Sequence, residues 1–152
     1  MDHREDYSAK EQAAWQAFLA VLDSVPHSRR DDPSVVPGWS VKDLICHNAG
    51  WAAFAADELD KMAGRAFADP FDERDGAHWD RVQEAIIEEG RLKTFEETLS
   101  DAERTREHVR EIWSSLPTID EPAAKFFAEE TFIHYEEHTT EIQQFLERAK
   151  PG

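Results

Sequence analysis

The stretch VPGWSVKDLICHNAGW, Val36–Trp51, decides the fold. A helix begins directly after VVPGWS: Ser40 has the chemistry of an N-cap, and Asp43 three residues on comes close to a capping box. Val41, Leu44, Ile45, Ala52, Ala55, Leu59 and Met62 then recur at helical spacing as one apolar stripe, until Gly64 stops it. His47 lies at the edge of that stripe, one turn after Leu44 and one turn before Trp51.

Three further amphipathic segments flank this helix, and nothing reads as a strand. Upstream, Trp15, Phe18, Leu19, Leu22 and Val25 predict a helix over roughly Ser8–Val25, ended by Pro26 and the polar stretch to Pro37. Downstream, Arg65–Gly90 reads as a long crossover: a loop at FADPFDERDG, then a short helix at HWDRVQEAIIEEG with Trp79, Val82 and Ile86 on one side. A third main helix opens at TFEE, where Thr94 and Glu97 form a capping-box pattern, and carries Phe95, Leu99, Ala102, Val109, Ile112, Trp113 and Leu116 along one face. After LPTIDEP, a fourth runs from about Pro122, suited to a first helical turn, to about Arg148. Short connections favour antiparallel neighbours, and the crossover lets helices two and three run parallel. The expectation is an all-α protein: one domain over 1–152, a four-helix bundle with one long crossover between helices 2 and 3.

Composition bounds the function. The 152 residues hold 33 acidic against 17 basic side chains, a net charge of −16, with 40% hydrophobic content. That is a globular composition of the wrong sign for nucleic acid or an anionic membrane surface. No apolar run approaches the ~20 residues of a membrane helix, and MDHREDYSAKEQ has no signal-peptide core. The single cysteine, Cys46, cannot form an internal disulfide. A soluble cytoplasmic protein is expected.

The fourth helix carries FIHYEEH, Phe132–His138. Phe127, Thr131, His134, His138, Ile142 and Phe145 fall at three- and four-residue steps, so both imidazoles occupy core-facing positions. Two buried imidazoles are costly unless something satisfies their nitrogens, and bundle cores commonly hold metals between facing helices. The pair departs from HExxH, because Glu136 and Glu137 fill the wrong slots. A third ligand must come from another helix, and His47 is the best candidate. His3 and His27 lie in terminal or loop sequence, His78 starts the crossover helix, and His108 is on a polar face. On pattern alone, a three-histidine metal site and satisfied or surface histidines both stay open.

VPGWSVKDLICHNAGW together with FIHYEEH resembles the DinB-like superfamily, including the N-terminal domain of mycothiol-dependent maleylpyruvate isomerase. The resemblance rests on a GWS-x-x-[DE]-[LV]-x-x-H signature that opens the second helix, and it spans Trp15 to Phe145 in helix order and crossover position. It implies that His47, His134 and His138 bind a divalent metal, zinc or nickel. Three histidines leave an open coordination position, the mark of a catalytic site. Such a metal lowers the pKa of bound thiol or water.

The resemblance therefore implies a thiol S-transferase using a low-molecular-weight thiol, mycothiol or bacillithiol, against a small electrophile. A metal-dependent hydrolase and a non-catalytic stress-related metal-binding bundle are the alternatives, and a homodimer is left open. The isomerase's additional C-terminal domain is not expected within these 152 residues.

Other residues read more plainly. Cys46 points about 100° away from His47 and is expected to pack. Trp39, Trp51, Trp79 and Trp113 are core by default, with Trp51 placed to flank the site. Asp43 is expected to serve the helix N-terminus, with orientation of His47 as its other role. Glu137 is a candidate to support the ligands, and Glu130 is expected to be a solvated carboxylate rather than an oxygen ligand.

Overall fold

The computed structural model describes residues 3–148 and is all-helical. Residues 1, 2 and 149–152 of the expected domain lie outside the described residues. Among the described residues there are six α-helices: α1 (Arg4–Asp23), α2 (Val41–Lys61), α3 (Gly76–Arg91), α4 (Phe95–Ser115), α5 (Glu121–Glu130) and α6 (Phe132–Arg148). The chain also makes short 3-10 turns at His27–Arg29 and Pro70–Asp72.

Local chemistry fixes the starts of the helices. Ser40 accepts from the Asp43 amide while Asp43 Oδ2 accepts from the Ser40 amide, closing the capping box of α2. Thr94 and Glu97 do the same for α4. Asp75 and Asp120 cap α3 and α5. Just before α2, the Trp39 amide donates to Val36 O at 2.9 Å across Pro37 and Gly38. Gly38 has φ +86°, so proline and glycine fill the two central positions of a type II turn. That turn sets Trp39 beside α2.

Side-chain contacts show how the helices run. Lys42 Nζ donates to Lys93 O, which brings the N-terminal ends of α2 and α4 together. Arg4 meets Ser114, and Ser8 meets Arg110, so α1 runs opposite to α4. Tyr7 packs on Phe132 and Trp15 on Tyr135, so α1 and α6 run the same way. The interior is filled by Phe18, Leu44, Ile45, Leu59, Trp113, Phe126, Phe127, Tyr135, Ile142 and Phe145, all at most 2% exposed.

Two expectations need correction. α1 begins at Arg4, four residues before the expected Ser8. The expected continuous helix from Pro122 to Arg148 is interrupted at Thr131, whose φ and ψ are −121° and −95°. The Thr131 amide and hydroxyl both donate to Phe127 O, ending α5, and the Thr131 carbonyl accepts the Tyr135 amide to start α6. No glycine or proline marks this break.

The crossover helix α3 runs back along α2. Cys46 Sγ donates to Ile86 O, and Trp51 Nε1 donates to Gln83 Oε1 at 2.9 Å. Gly90 allows the close approach: a Cβ there would lie 2.1 Å from Cys46 Sγ and 2.8 Å from Cys46 Cβ. In an open helix Gly→Ala is worth about 1 kcal/mol of added stability. Here overpacking reverses the sign, and Gly90→Ala should destabilise by about 1–3 kcal/mol. Gly76→Ala, where a Cβ meets nothing within 4 Å, is the control. A raised melting temperature for Gly90→Ala would show that α3 does not seat on α2 through this glycine.

Candidate metal centre

The break at Thr131 is followed by the turn of α6 that carries His134 and His138. Their Nε2 atoms face each other at 3.0 Å. His47, from α2, completes the group: its ring centroid lies 4.4 Å from that of His134 and 5.0 Å from that of His138. One ligating nitrogen from each histidine lies within 4.8 Å of the other two. All three are at most 9% exposed. Trp39 covers His47 at 5.0 Å between ring centroids.

The electrostatics hold all three imidazoles neutral. Burial, reinforced by the neighbouring His138, pushes His47 down to about 3. Burial and the other two imidazoles take His134 to about 2, and burial alone takes His138 to about 4. Neutral imidazole is the form that ligates metal.

Hydrogen bonding assigns the tautomers. Glu141 Oε1 pairs with His138 Nδ1, and a carboxylate only accepts, so His138 carries its proton on Nδ1. Its Nε2 lone pair then points at His134 Nε2, which donates. His134 Nδ1 is left without a partner, as is His47 Nδ1. Unpartnered buried nitrogens are expensive. A divalent ion would take the Nε2 lone pairs of both His134 and His138, with the His134 proton moved to its Nδ1, and three nitrogens within 4.8 Å of one another suit the nitrogen ligation of zinc. The donor set fits a metal, with Glu141 bracing His138 from behind as ligating histidines require.

His47 and His134 open onto a cavity of about 300 Å³. Trp51, Phe71 and Trp79 form one wall, and Asp80, Glu129, Glu130 and Glu137 bring carboxylates to it. Glu130 is half-buried, not solvated as expected; burial, then Glu129, Asp69 and Glu137, push it up to about 8. It stands outside the convergent group of nitrogens.

The remaining candidates sort cleanly. His3 pairs with Glu121, while His27 and His108 are exposed and His78 packs on Trp79, all away from the cluster. Asp43 stays in its capping box, 3.6 Å from Arg91, and does not orient His47. Cys46 bonds to α3 and does not join the cluster. Trp113 is core, stacked on Phe127 at 4.1 Å, whereas Trp51 and Trp79 line the cavity. Sequence reading missed Glu141 and the Phe71 wall. Glu141 carried a readable signal, a carboxylate three residues after His138 on the same helical face. Phe71 sits in a loop and carried none.

Helix order and buried histidines together define the class, an all-helical DinB-like protein. The chain belongs to the family of the mycothiol maleylpyruvate isomerase N-terminal domain, whose model matches residues 12–131. The match includes His47 and ends before His134. No curated protein and no solved structure matches the chain. No described helix is long and apolar enough to cross a membrane.

Proposed function

We propose that this chain is a single-domain, four-helix bundle with one crossover, in which His47, His134 and His138 hold a divalent metal, zinc or nickel. Its activity is transfer of a low-molecular-weight thiol to a small electrophile. The observation that carries this reading is the convergence of three buried, neutral imidazoles, two of which, His47 and His134, line a cavity large enough for small reactants. Family membership supports mycothiol as the thiol. When bound, the metal supplies Lewis acidity that favours thiolate over thiol at neutral pH.

The chain's own residues do the rest. Glu141 holds the His138 ring through Nδ1. Trp39 and Trp51 keep bulk water from His47. The ionised form of Glu130, whose proton affinity burial raises to about 8, takes up the thiol proton as pH approaches that value. The same poised carboxylate favours metal-dependent hydrolysis as the second reading, since it would serve a water equally well. Lone Cys46 suits a reducing cytoplasm.

The test is conjugation of mycothiol to monochlorobimane by the zinc- or nickel-loaded protein. Turnover should exceed the uncatalysed rate by at least about a hundredfold, and Glu130→Gln should lose about 10²–10⁴ of it. It should vanish in His134→Ala. Ester hydrolysis without thiol-dependent conjugation would favour the second reading, and neither activity would leave the metal-binding bundle.

A further inference from the structure

The cavity beside His47 and His134 is chemically one-sided. Its carboxylates come from three elements: Asp80 on α3, Glu129 and Glu130 at the end of α5, and Glu137 on α6. No lysine or arginine lines it. Asp80, Glu130 and Glu137 make no ion pair among the described residues, and Glu129 reaches Lys125 at 3.8 Å. A divalent ion on three neutral histidines would add two positive charges against three carboxylates, even with Glu130 protonated. With Glu129 answered by Lys125 the loaded cavity is close to neutral, whereas the metal-free cavity is net negative.

The other wall is aromatic. Trp51, Phe71 and Trp79 contact one another, with ring centroids 4.8 to 6.2 Å apart. Gln83 fixes the Trp51 indole through Nε1. Two buried groups of this wall and floor have no hydrogen-bond partner, Trp79 Nε1 and His134 Nδ1. His134 is 9% exposed, and in the metal-free protein its Nδ1 is the bare acceptor left by the Glu141–His138–His134 chain. Aromatic faces and carboxylates line one small volume, with this buried acceptor beside it and no cation to answer them.

We propose that this cavity binds a small organic cation, a protonated or quaternary amine, and turns anionic carboxylates away. Aromatic faces attract a desolvated ammonium group, and quaternary ammonium recognition by such walls is a general device. The carboxylates supply the long-range attraction and repel anions. Burial, and after it the neighbouring carboxylates of Glu129, Asp69 and Glu137, raise the proton affinity of Glu130. The identity of this cation as the electrophile rests on the thiol-transfer reading; its binding does not.

The experiment follows Trp51 and Trp79 fluorescence in the metal-free and zinc-loaded protein at low salt, titrated with phenyltrimethylammonium, benzyl alcohol or benzoate. Phenyltrimethylammonium should bind the metal-free protein at least about tenfold more tightly than either of the others, with a smaller margin once zinc is loaded. The double variant Asp80→Asn/Glu137→Gln changes exposed positions, so its melting temperature should hold while cation affinity falls about tenfold. Trp79→Phe should weaken binding and keep the wall. Benzoate binding as tightly as the cation, an unaltered affinity in the double variant, or no cation binding up to about 10 mM would overturn the proposal. Because the metal-free arm needs neither metal nor turnover, loss of the thiol-transfer reading would leave this result intact.

Discussion

Elemental analysis of the wild-type protein should return about one divalent ion per chain, and His47→Ala, His134→Ala and His138→Ala should each return less than about a tenth of that. Each variant removes one of three convergent nitrogens, and two imidazoles hold a divalent ion far more weakly than three. Glu141→Ala should keep a reduced share, since it removes only the brace on His138 Nδ1. Metal at a hundred times its dissociation constant adds about 2.7 kcal/mol, so chelation should lower the melting temperature by roughly 5–10 °C. A full complement of ion in His134→Ala would sink the ligand assignment, as would its absence from wild type after dialysis against zinc and nickel.

The same histidines set the acid limit of the metal-free fold. Their folded values, about 3, 2 and 4, lie below the ordinary value of 6.5. The unfolded chain therefore binds more protons, and stability rises with pH. The contribution is whole above pH 6.5 and is lost as pH falls through the folded values of about 4, 3 and 2 in turn, by about 2 kcal/mol for each histidine at pH 5. Glu130, raised from 4.5 to about 8, works the other way, since its contribution is present below 4.5 and lost as pH rises through 8. Three histidines outweigh one carboxylate between pH 5 and 7. Melting temperature should rise across that window, and the rise should shrink in His134→Ala.

How much of this was legible depended on whether the deciding forces were local. Capping boxes at Ser40 and Thr94 are three-residue chemistry and stand where the sequence placed them. The histidine stripe was legible because helical periodicity puts His134 and His138 on the face of Ile142 and Phe145, and all four are buried. The break at Thr131 was not, because its residue types permit a continuous helix. The carboxylate-lined cavity was also hidden: Asp80, Glu130 and Glu137 belong to different helices, and only tertiary packing brings them together. Glu11 shows the same limit. It falls on the stripe with Trp15 and Phe18, but nothing nearby in sequence reveals what answers its charge.

Glu11→Ala should cost about 3–5 kcal/mol, a fall of roughly 10 °C or more in melting temperature. The Glu11 carboxylate is fully buried between α1, α4 and α6. Arg106 Nε donates to Oε2 and Arg106 Nη2 to Oε1, each at 2.9 Å; Arg110 Nη1 donates to Oε1 at 2.7 Å and Tyr135 Oη to Oε2 at 3.2 Å. Burial and the adjacent Glu11 push the Tyr135 phenol well above its ordinary value, so it remains a donor. Removing the carboxylate leaves the Arg106 guanidinium, whose side chain is only 14% exposed, with Gln12 as its remaining partner, and strands the Tyr135 hydroxyl. Arg110, at 31% exposure, can turn to water, so Arg110→Ala should cost no more than about 1 kcal/mol. Tyr135 is the neighbour of His134, which makes this cluster an anchor for the helix that presents the ligand pair. Thermal melts of the metal-free variants give the measurement. If Glu11→Ala melts within about 2 °C of wild type, the guanidinium finds water that the fold denies it, and α6 is held by apolar packing alone.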